Sequence, residues 1–325
     1  MKQEILQENQ TKPLGDLKGS KMIIKKNKYR HKNSTADKIF IVSMLSLFLV
    51  QFVIFWVYVN AQSILMAFQL PSGEWSLDTF QYVFDDFKGN LGDPLGGSLL
   101  ESLKNTLMFW FSGILMIPLN LFITYLFYKK IKGYKVWQVM LHLPGIIGGL
   151  VMITAFKNFL RPDYGPLGVL IKNLFGINGH LITMPDYAIW VILFYSLWMG
   201  WSSNMMLFGG AMARIPVEIL ESARIDGVGS FREFTQIIFP LVWPTVSTVL
   251  ILSLTGIISA DGGTLVFTQG SAKTYTIAYW FYAKQLAGPA YYNQVSAAGL
   301  LFTVVLVPII LFTRWLIEKV PTVDY

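Results

Sequence analysis

The sequence has no cysteine, few histidines and little charge. Its 325 residues include three histidines and no cysteine, which excludes disulfides, zinc-thiolate sites and thiol nucleophiles. His31, His142 and His180 are too scattered to match zinc-ligand spacing. Only 14% of the residues are charged, compared with about 25% in soluble domains. With 54% apolar residues and a mean hydropathy of +0.50, the composition is typical of a polytopic membrane protein.

Catalytic and nucleotide-binding motifs are also missing. The chain has no G-x-x-x-x-G-K-[ST] phosphate loop and no G-x-S-x-G nucleophile motif. We therefore predict a protein that is not an enzyme, with no catalytic residue, no metal site and no cofactor in this chain. If ATP drives its function, ATP and Mg²⁺ are bound by a partner.

Six long apolar runs are present instead, and each is long enough to cross a bilayer as a helix. They predict an all-α, polytopic fold with six transmembrane helices at 39–59, 107–128, 136–156, 187–208, 241–260 and 295–316. Pro144 in the third run predicts a kink. Apolar residues at helical spacing also predict a short interfacial helix over 167–175.

Charge then orients the predicted spans. We divide the chain into a basic cytoplasmic tail (1–38), the first transmembrane helix (39–59), an acidic extracytoplasmic loop (60–106) and a five-helix core (107–325) that includes a charged loop at 212–240. Basic residues favour the cytoplasmic side of a membrane. An even number of spans then places both termini and the 212–240 loop in the cytoplasm. The net charge of +7 is explained by this asymmetry, so no nucleic-acid partner is predicted.

The charged loop has the pattern of a short amphipathic helix. Pro216 suits the first turn, and Ile219, Leu220 and Ala223 share one face. Gly227 is expected to end this helix. Because six charged side chains in this stretch would be costly in lipid, we expect it to protrude into water and dock on a partner.

A second short helix is predicted directly after the first. Ser230 and Glu233 have the spacing of a capping box, and Pro240 is expected to end the helix. Two short helices would then meet at a glycine elbow between the fourth and fifth spans.

This stretch resembles the EAA loop of the permease subunits of ABC importers. Glu221, Ala223, Gly227 and Pro240 match the motif, whereas Ser222 and Phe239 replace its usual alanine and leucine. The runs at 198–201, 268–272 and 291–299 resemble further elements of maltose-type permeases, although the second of these runs lacks the family's second glycine and its proline. The sequence is therefore similar to the carbohydrate-type branch of the binding-protein-dependent transport inner-membrane components.

The resemblance implies a type I ABC importer permease in a bacterial plasma membrane. Its implied partners are a second homologous permease in a heterodimer, two cytoplasmic ATPases and an extracytoplasmic solute-binding protein. The apolar face of the elbow would pack into an ATPase cleft, and Glu221 would pair with a basic group there. The candidate coupling residues are Glu218, Glu221, Ser222, Ala223, Asp226, Gly227 and Pro240.

A solute path is predicted from small, hydroxylated and aromatic residues in the fourth and fifth spans. Such residues can also serve helix packing, and that alternative stays open. The candidate path residues are Tyr195, Trp198, Gly200, Ser203, Asn204, Ser253, Gly256, Ile257 and Ala260.

Few ionisable residues lie within the predicted spans, which together with the resemblance favours a neutral sugar or oligosaccharide as the solute. A polyamine, a glycerol phosphate or an amino acid in the same architecture is the alternative. An ion-coupled secondary transporter would need buried ionisable groups within the spans. A membrane enzyme would need a clustered catalytic set, which the sequence lacks.

Overall fold

The computed structural model describes residues 35–89 and 98–321. Most of the predicted basic tail and residues 90–97 of the predicted acidic loop lie outside these residues. The chain divides after Tyr58 into two units. In the first unit, helix α1 (Thr35–Phe52) continues into a π-helical turn (Val53–Tyr58), and every described side chain is exposed.

The second unit is built from helices, and no strand occurs among its described residues. The α-helices are α2 (Val59–Ala67), α3 (Asp78–Phe87), α4 (Leu99–Tyr128), α5 (Tyr134–Ile146), α6 (Gly149–Phe159), α7 (Pro166–Phe175), α8 (Ala188–Gly200), α9 (Met205–Met212), α10 (Val217–Ile225), α11 (Ser230–Arg232), α12 (Phe239–Thr255), α13 (Thr264–Phe267), α14 (Ile277–Leu286) and α15 (Tyr292–Glu318). A π-helical turn (Glu233–Ile238) joins α11 to α12. Short 3₁₀ turns lie at Leu181–Thr183, Ile257–Ser259 and Pro289–Tyr291.

Five described helices are long and apolar enough to cross a membrane. They run over Thr35–Ala67, Leu99–Tyr128, Ala188–Met212, Ser230–Thr255 and Pro289–Glu318. The predicted all-α, polytopic class is confirmed. A sixth span exists only if α5 and α6 are counted together, and these two helices are bent by 104° relative to each other.

The bend replaces the straight helix predicted over 136–156. Pro144 lies in the last turn of α5, where it donates no backbone hydrogen bond, and Ile147 and Gly148 then adopt extended conformations. Gly145 approaches the turn after α8 so closely that an added Cβ would lie 2.4 Å from the Ser202 hydroxyl. The break in this span is therefore packed against the break in the next one.

Other boundaries also differ from the predictions. The segment predicted as a loop at 60–106 contains most of α2, all of α3 and the first turns of α4. Ser98 caps α4 by accepting a hydrogen bond from the Glu101 amide at 3.2 Å. The predicted helix over 167–175 is present as α7.

Three clusters of buried apolar residues organise the second unit. One joins the C-terminal half of α4 to α9, α10 and α12. Another joins the first half of α4 to α6, α8 and α13. The third packs α2, α3 and α14 against α15. Helix α4 therefore contributes to the packing beside the charged segment and to the packing around the middle of the spans.

A buried cation lies beside the third cluster. Lys284 is 1% exposed, and its ammonium lies 5.0–5.5 Å from the ring centres of Tyr82, Trp280 and Tyr291. The Trp280 indole N–H donates to Asp86 at 2.8 Å. Rings around an ammonium offset part of its desolvation. These contacts hold α3 against α14 and fold the acidic segment onto the helix bundle.

Candidate functional site: the charged elbow and a central cavity

The charged elbow comprises residues 215–238. Its first helix, α10, begins after Pro216, whose backbone is not yet helical (φ −57°, ψ 136°). It ends in a Schellman motif, in which the Val228 amide donates to the Ala223 carbonyl at 3.0 Å and the Gly227 amide donates to the Arg224 carbonyl at 3.1 Å. Gly227 has φ +71°, the left-handed conformation that this motif requires. The predicted helix stop at Gly227 is therefore confirmed.

The second half of the elbow differs from the prediction. No capping box forms, because the N-cap residue is Gly229 and it makes no side-chain cap bond. Pro240 does not end a helix either, since α11, the π-helical turn and α12 form one rod from Ser230 to Thr255. Within the turn, the Phe239 amide donates to the Phe234 carbonyl five residues back. This wider turn accommodates a proline that would clash with a regular α-helix.

Glu233 has a different role from the one predicted. Its side chain is 3% exposed, and Oε2 lies 2.8 Å from the ammonium of Lys129, at the end of α4. The Tyr125 hydroxyl lies 3.2 Å from Glu233 Oε1 and 2.9 Å from the Ser230 carbonyl oxygen, so its single proton is available to either acceptor. Sequence reasoning missed this cluster because the lysines around Lys129 indicate only the orientation of the spans.

The two faces of α10 are also assigned differently. Leu220 and Ala223 are buried, and Ile219 packs against the same cluster, so the predicted partner-binding apolar face is covered by the chain's own core. The outward side is charged and apolar, with three exposed acidic residues and the exposed cations Arg224 and Arg232. It is formed by the exposed side chains Val217, Glu218, Glu221, Ser222, Ile225, Asp226 and Phe231. This outward side is the surface that the elbow offers to a partner.

A cavity of about 180 Å³ lies between α4, α8 and the segment after α12. Its lining residues are Phe109, Ser112, Gly113, Met116, Ser196, Leu197, Gly200, Ser203, Ala260 and Gly262. None of these side chains is charged. Helix α8 ends at the cavity, and the freed Gly200 carbonyl accepts from Asn120 Nδ2 at 2.8 Å and from the Ser203 hydroxyl at 3.0 Å. Irregular backbone at membrane depth is tolerated where it is satisfied in this way.

The serines of the cavity present oxygen acceptors. Ser112 donates to the Phe109 carbonyl at 2.6 Å, Ser203 to Gly200, and Ser196 makes a longer contact of 3.5 Å to the Gly262 carbonyl. Because the Ser112 and Ser203 hydroxyls donate to the backbone, their remaining lone pairs can accept hydrogen bonds from a solute.

Three of the nine predicted path residues, Gly200, Ser203 and Ala260, line this cavity. Two others have different surroundings. Tyr195 is 4% exposed and packs within a core, with its ring centre 4.9 Å from that of Phe267. Trp198 lines a separate groove that is almost entirely apolar, beside Phe156 and Phe194.

The path residues predicted in the fifth span assumed a helix that continues to residue 260. Helix α12 ends at Thr255, Gly256 follows as its C-cap, and Ile257 begins a 3₁₀ turn. Ser253, Gly256, Ile257 and Ala260 therefore do not share one helical face. The Ser253 carbonyl accepts from the Trp110 indole at 2.8 Å. Asn204 lies in the turn between α8 and α9 and does not line the cavity.

Sequence reasoning missed the wall that α4 contributes. Phe109, Ser112, Gly113 and Met116 recur at i, i+3, i+4 and i+7, the spacing of one helical face. This spacing is visible in the sequence. However, the span is apolar on every side, so the spacing alone does not distinguish the face that borders the cavity from the other faces.

Fold and site together define a multi-pass helical membrane protein whose spans border an uncharged cavity with three serines in a mainly apolar wall. A family model described as the binding-protein-dependent transport system inner membrane component matches residues 95–320. Because this match covers most of the chain, the protein belongs to that family, whose members are transport permeases and not catalytic proteins.

Two similar curated proteins are maltose/maltodextrin transport system permease proteins MalF. The protein from Photorhabdus laumondii is 29% identical and that from Yersinia pestis 30% identical, each over 126 residues. Each matched stretch covers 39% of this chain and only 24% of the relative. The chain therefore matches about a quarter of the length of these relatives.

Two solved structures share the fold over nearly the whole chain. One is a bacterial ABC transporter involved in the import of the acidic polysaccharide alginate, with a TM-score of 0.74 and 21% identity over 88% of this chain and 98% of the other. The second is a bacterial alginate ABC transporter in complex with an alginate pentasaccharide-bound periplasmic protein, with a TM-score of 0.69 and 22% identity over 85% and 93% of the two chains. At this identity they establish the fold alone.

Proposed function

We propose that this chain is the membrane permease subunit of an ATP-driven ABC importer for a sugar or oligosaccharide. The observation that carries the proposal is the elbow. Its inner face is buried in the chain's own core, while its outer side is exposed and carries Glu218 and Glu221 beside Ile225, which is 86% exposed. The segment also exposes Arg224 and Arg232, but its carboxylates and its exposed apolar side chain together suit a protein groove better than an anionic membrane surface.

The proposed assembly follows from the family. A second, homologous permease would complete the membrane part as a heterodimer, and two cytoplasmic ATPases would bind ATP and Mg²⁺ and receive the elbows. A solute-binding protein would deliver the solute on the other side of a bacterial inner membrane, with both termini of this chain in the cytoplasm. The candidate coupling residues are then Glu218, Glu221, Ser222 and Asp226 on the surface and Gly227 at the rigid turn that ends α10. Ala223 would shape the elbow from its buried side, and Pro240 follows the elbow in the first turn of α12.

The central cavity supports a saccharide as the cargo. Its lining includes three serines, which can hydrogen-bond a solute, and Phe109, which is aromatic and apolar. Sugars carry many hydroxyl donors and have apolar C–H faces. The volume is smaller than the roughly 300–1,000 Å³ of sites for drug-sized ligands, so the cavity would hold one ring or widen during transport. The names of the relatives, which concern maltose, maltodextrin and alginate, support the same class.

Reconstituted vesicles test the proposal. The transporter, purified with its ATPase and solute-binding protein, should take up radiolabelled maltotriose or compete for it with another oligosaccharide, and uptake should need internal ATP but not a proton gradient. Glu221→Gln should lower ATP-driven uptake at least fivefold, because one charge of the docking side is lost. The matched control is Glu101→Gln. It changes an exposed glutamate in the first turn of α4, whereas the elbow packs near the last turn of that helix, and it should have no effect. Uptake that a protonophore abolishes at constant ATP would refute the proposal.

A further inference from the structure

A polar cluster connects the elbow to the far end of α4, and the function described above does not explain it. Glu233 is buried in the elbow, and Lys129 reaches it from α4 at 2.8 Å. The Tyr125 hydroxyl contacts both Glu233 and the Ser230 carbonyl. Aromatic contacts reinforce the connection, since the Phe234 ring centre lies 5.2 Å from that of Tyr125 and 5.4 Å from that of Phe122.

The buried Glu233 carboxylate should keep Lys129 as its partner. Lys129 is partly exposed (24%) but Glu233 is buried (3%), so separating the two would leave a buried carboxylate without its cation, which is destabilising. Because separating Glu233 from Lys129 costs free energy, the ion pair should persist while the elbow moves. The elbow and the end of α4 are then one mechanical body.

The same helix reaches the cavity. Tyr125 and Phe109 are sixteen residues apart on α4, which corresponds to about 24 Å of helix. The helix is continuous between them, with Pro118 inside it. Near its middle, Asn120 donates to the Gly200 carbonyl at the break between α8 and α9. Ser112, Gly113 and Met116 then form one wall of the cavity.

We infer that the Glu233–Lys129–Tyr125 cluster is the positioning element that transmits elbow movement along α4 to the wall of the cavity. The inference rests on the proposed function, because it presumes that a partner moves the elbow. On this inference, movement of the elbow also moves α4, which is distant from the elbow in sequence. Movement of α12 would be expected in any case, because α12 follows the elbow directly. Glu233, Lys129 and Tyr125 act through α4 and touch no solute.

The absence of cysteine from the chain provides a direct readout. Ser112→Cys places a single thiol in the cavity wall, and its reaction rate with a water-soluble maleimide reports the conformation around it. The rate is measured in the reconstituted transporter with its ATPase, first without nucleotide and then after trapping with ATP and vanadate. In this background we expect trapping to change the rate at least fivefold.

Glu233→Gln should reduce that nucleotide-dependent change to less than twofold while ATP hydrolysis continues. The exchanged pair Lys129→Glu with Glu233→Lys should restore at least half of the change, which a purely structural loss would not allow. Glu318→Gln, which removes an exposed charge paired with Arg314 at 2.7 Å, is the matched control and should leave the change intact.

Two results would overturn the inference. One is a full fivefold change in Glu233→Gln, and the other is an exchanged pair that assembles but does not recover. If Glu233→Gln does not assemble with the ATPase, Tyr125→Phe takes its place, and an unaltered response in that variant counts against the inference. The absence of any nucleotide response in the parent Ser112→Cys protein, with the ATPase bound and active, would instead refute the proposed function.

Discussion

Gly227 offers the sharpest test of the elbow, because its substitution changes the backbone and little else. An added Cβ would meet no atom within 4 Å, so Gly227→Ala introduces no clash. It does force an L-residue to adopt φ +71°. A left-handed L-residue costs about 1–2 kcal/mol, and the reduced entropy of the unfolded chain offsets about 0.4–1 kcal/mol of this. The net loss is about 1 kcal/mol.

That loss should appear where the Schellman motif forms. About 1 kcal/mol corresponds to a roughly fivefold increase in local opening. In hydrogen exchange of the protein in nanodiscs, the Gly227 and Val228 amides of Gly227→Ala should therefore exchange about five times faster than in the parent. Gly227→Val should exceed this, because a β-branched residue tolerates φ > 0 worse. Gly227→Asn should fall below it.

Gly229 supplies the matched control two residues away. It is also exposed, and an added Cβ there would likewise meet no atom within 4 Å, but its φ is −69° and its ψ is 156°, which any residue adopts. Gly229→Ala should leave exchange unchanged. In vesicles, Gly227→Val should lose solute uptake or coupling to the ATPase while Gly229→Ala retains both. Equal exchange and equal uptake in the two variants would refute the role of Gly227 as the turn that fixes the elbow.

Two further predictions concern the segment between α6 and α8. Burial and the charges of Arg161 and Lys157 lower the pKa of His180, against weaker opposing effects of a backbone hydrogen bond and of Asp163. Because His180 binds its proton more tightly in the unfolded chain, stability should fall as pH drops through and below about 6.5. In thermal unfolding scans between pH 5.5 and 7.5, His180→Gln should lose part of that dependence. Identical pH profiles for the variant and the parent would contradict this. Gly168→Ala should destabilise the protein by several kcal/mol, as severe overpacking does. The reason is that its Cβ would lie 2.2 Å from the Arg161 carbonyl oxygen.

The control for the last variant is Gly113→Ala. Gly113 is also helical, and a Cβ there would meet nothing within 4 Å, so it should unfold like the parent protein. Equal melting temperatures for Gly168→Ala and Gly113→Ala would show that the α6–α7 connection adjusts to the extra carbon.

Much of the architecture was predictable because burial in lipid imposes a simple pattern. An apolar run of about 20 residues needs only local sequence to be recognised, and the all-α class follows from the requirement that backbone groups be satisfied within each span. The stop at Gly227 was equally local, since the Schellman motif involves residues within one turn. The functional assignment of the elbow came from a resemblance, and its coupling role stays a prediction.

The errors arose where distant residues decide the outcome. The spacing of Ser230 and Glu233 fits a capping box, but a buried carboxylate is stabilised more by a cation than by one amide, and Lys129 supplies that cation from a separate helix. The predicted face of Ser253, Gly256 and Ala260 failed because the helix ends at Thr255. Helix ends of this kind depend on the packing of the following turn.

By itself, the sequence determined that this protein is a helical membrane protein with a charged elbow that turns at a glycine, because hydropathy and local turn chemistry depend on neighbouring residues. Only the tertiary structure decided which face of the elbow is free, which side chains border the cavity, and that Glu233 joins the elbow to α4. Those features depend on contacts between residues such as Lys129 and Glu233, which are 104 positions apart in the chain. Periodicity and local motifs carry no information about such pairs.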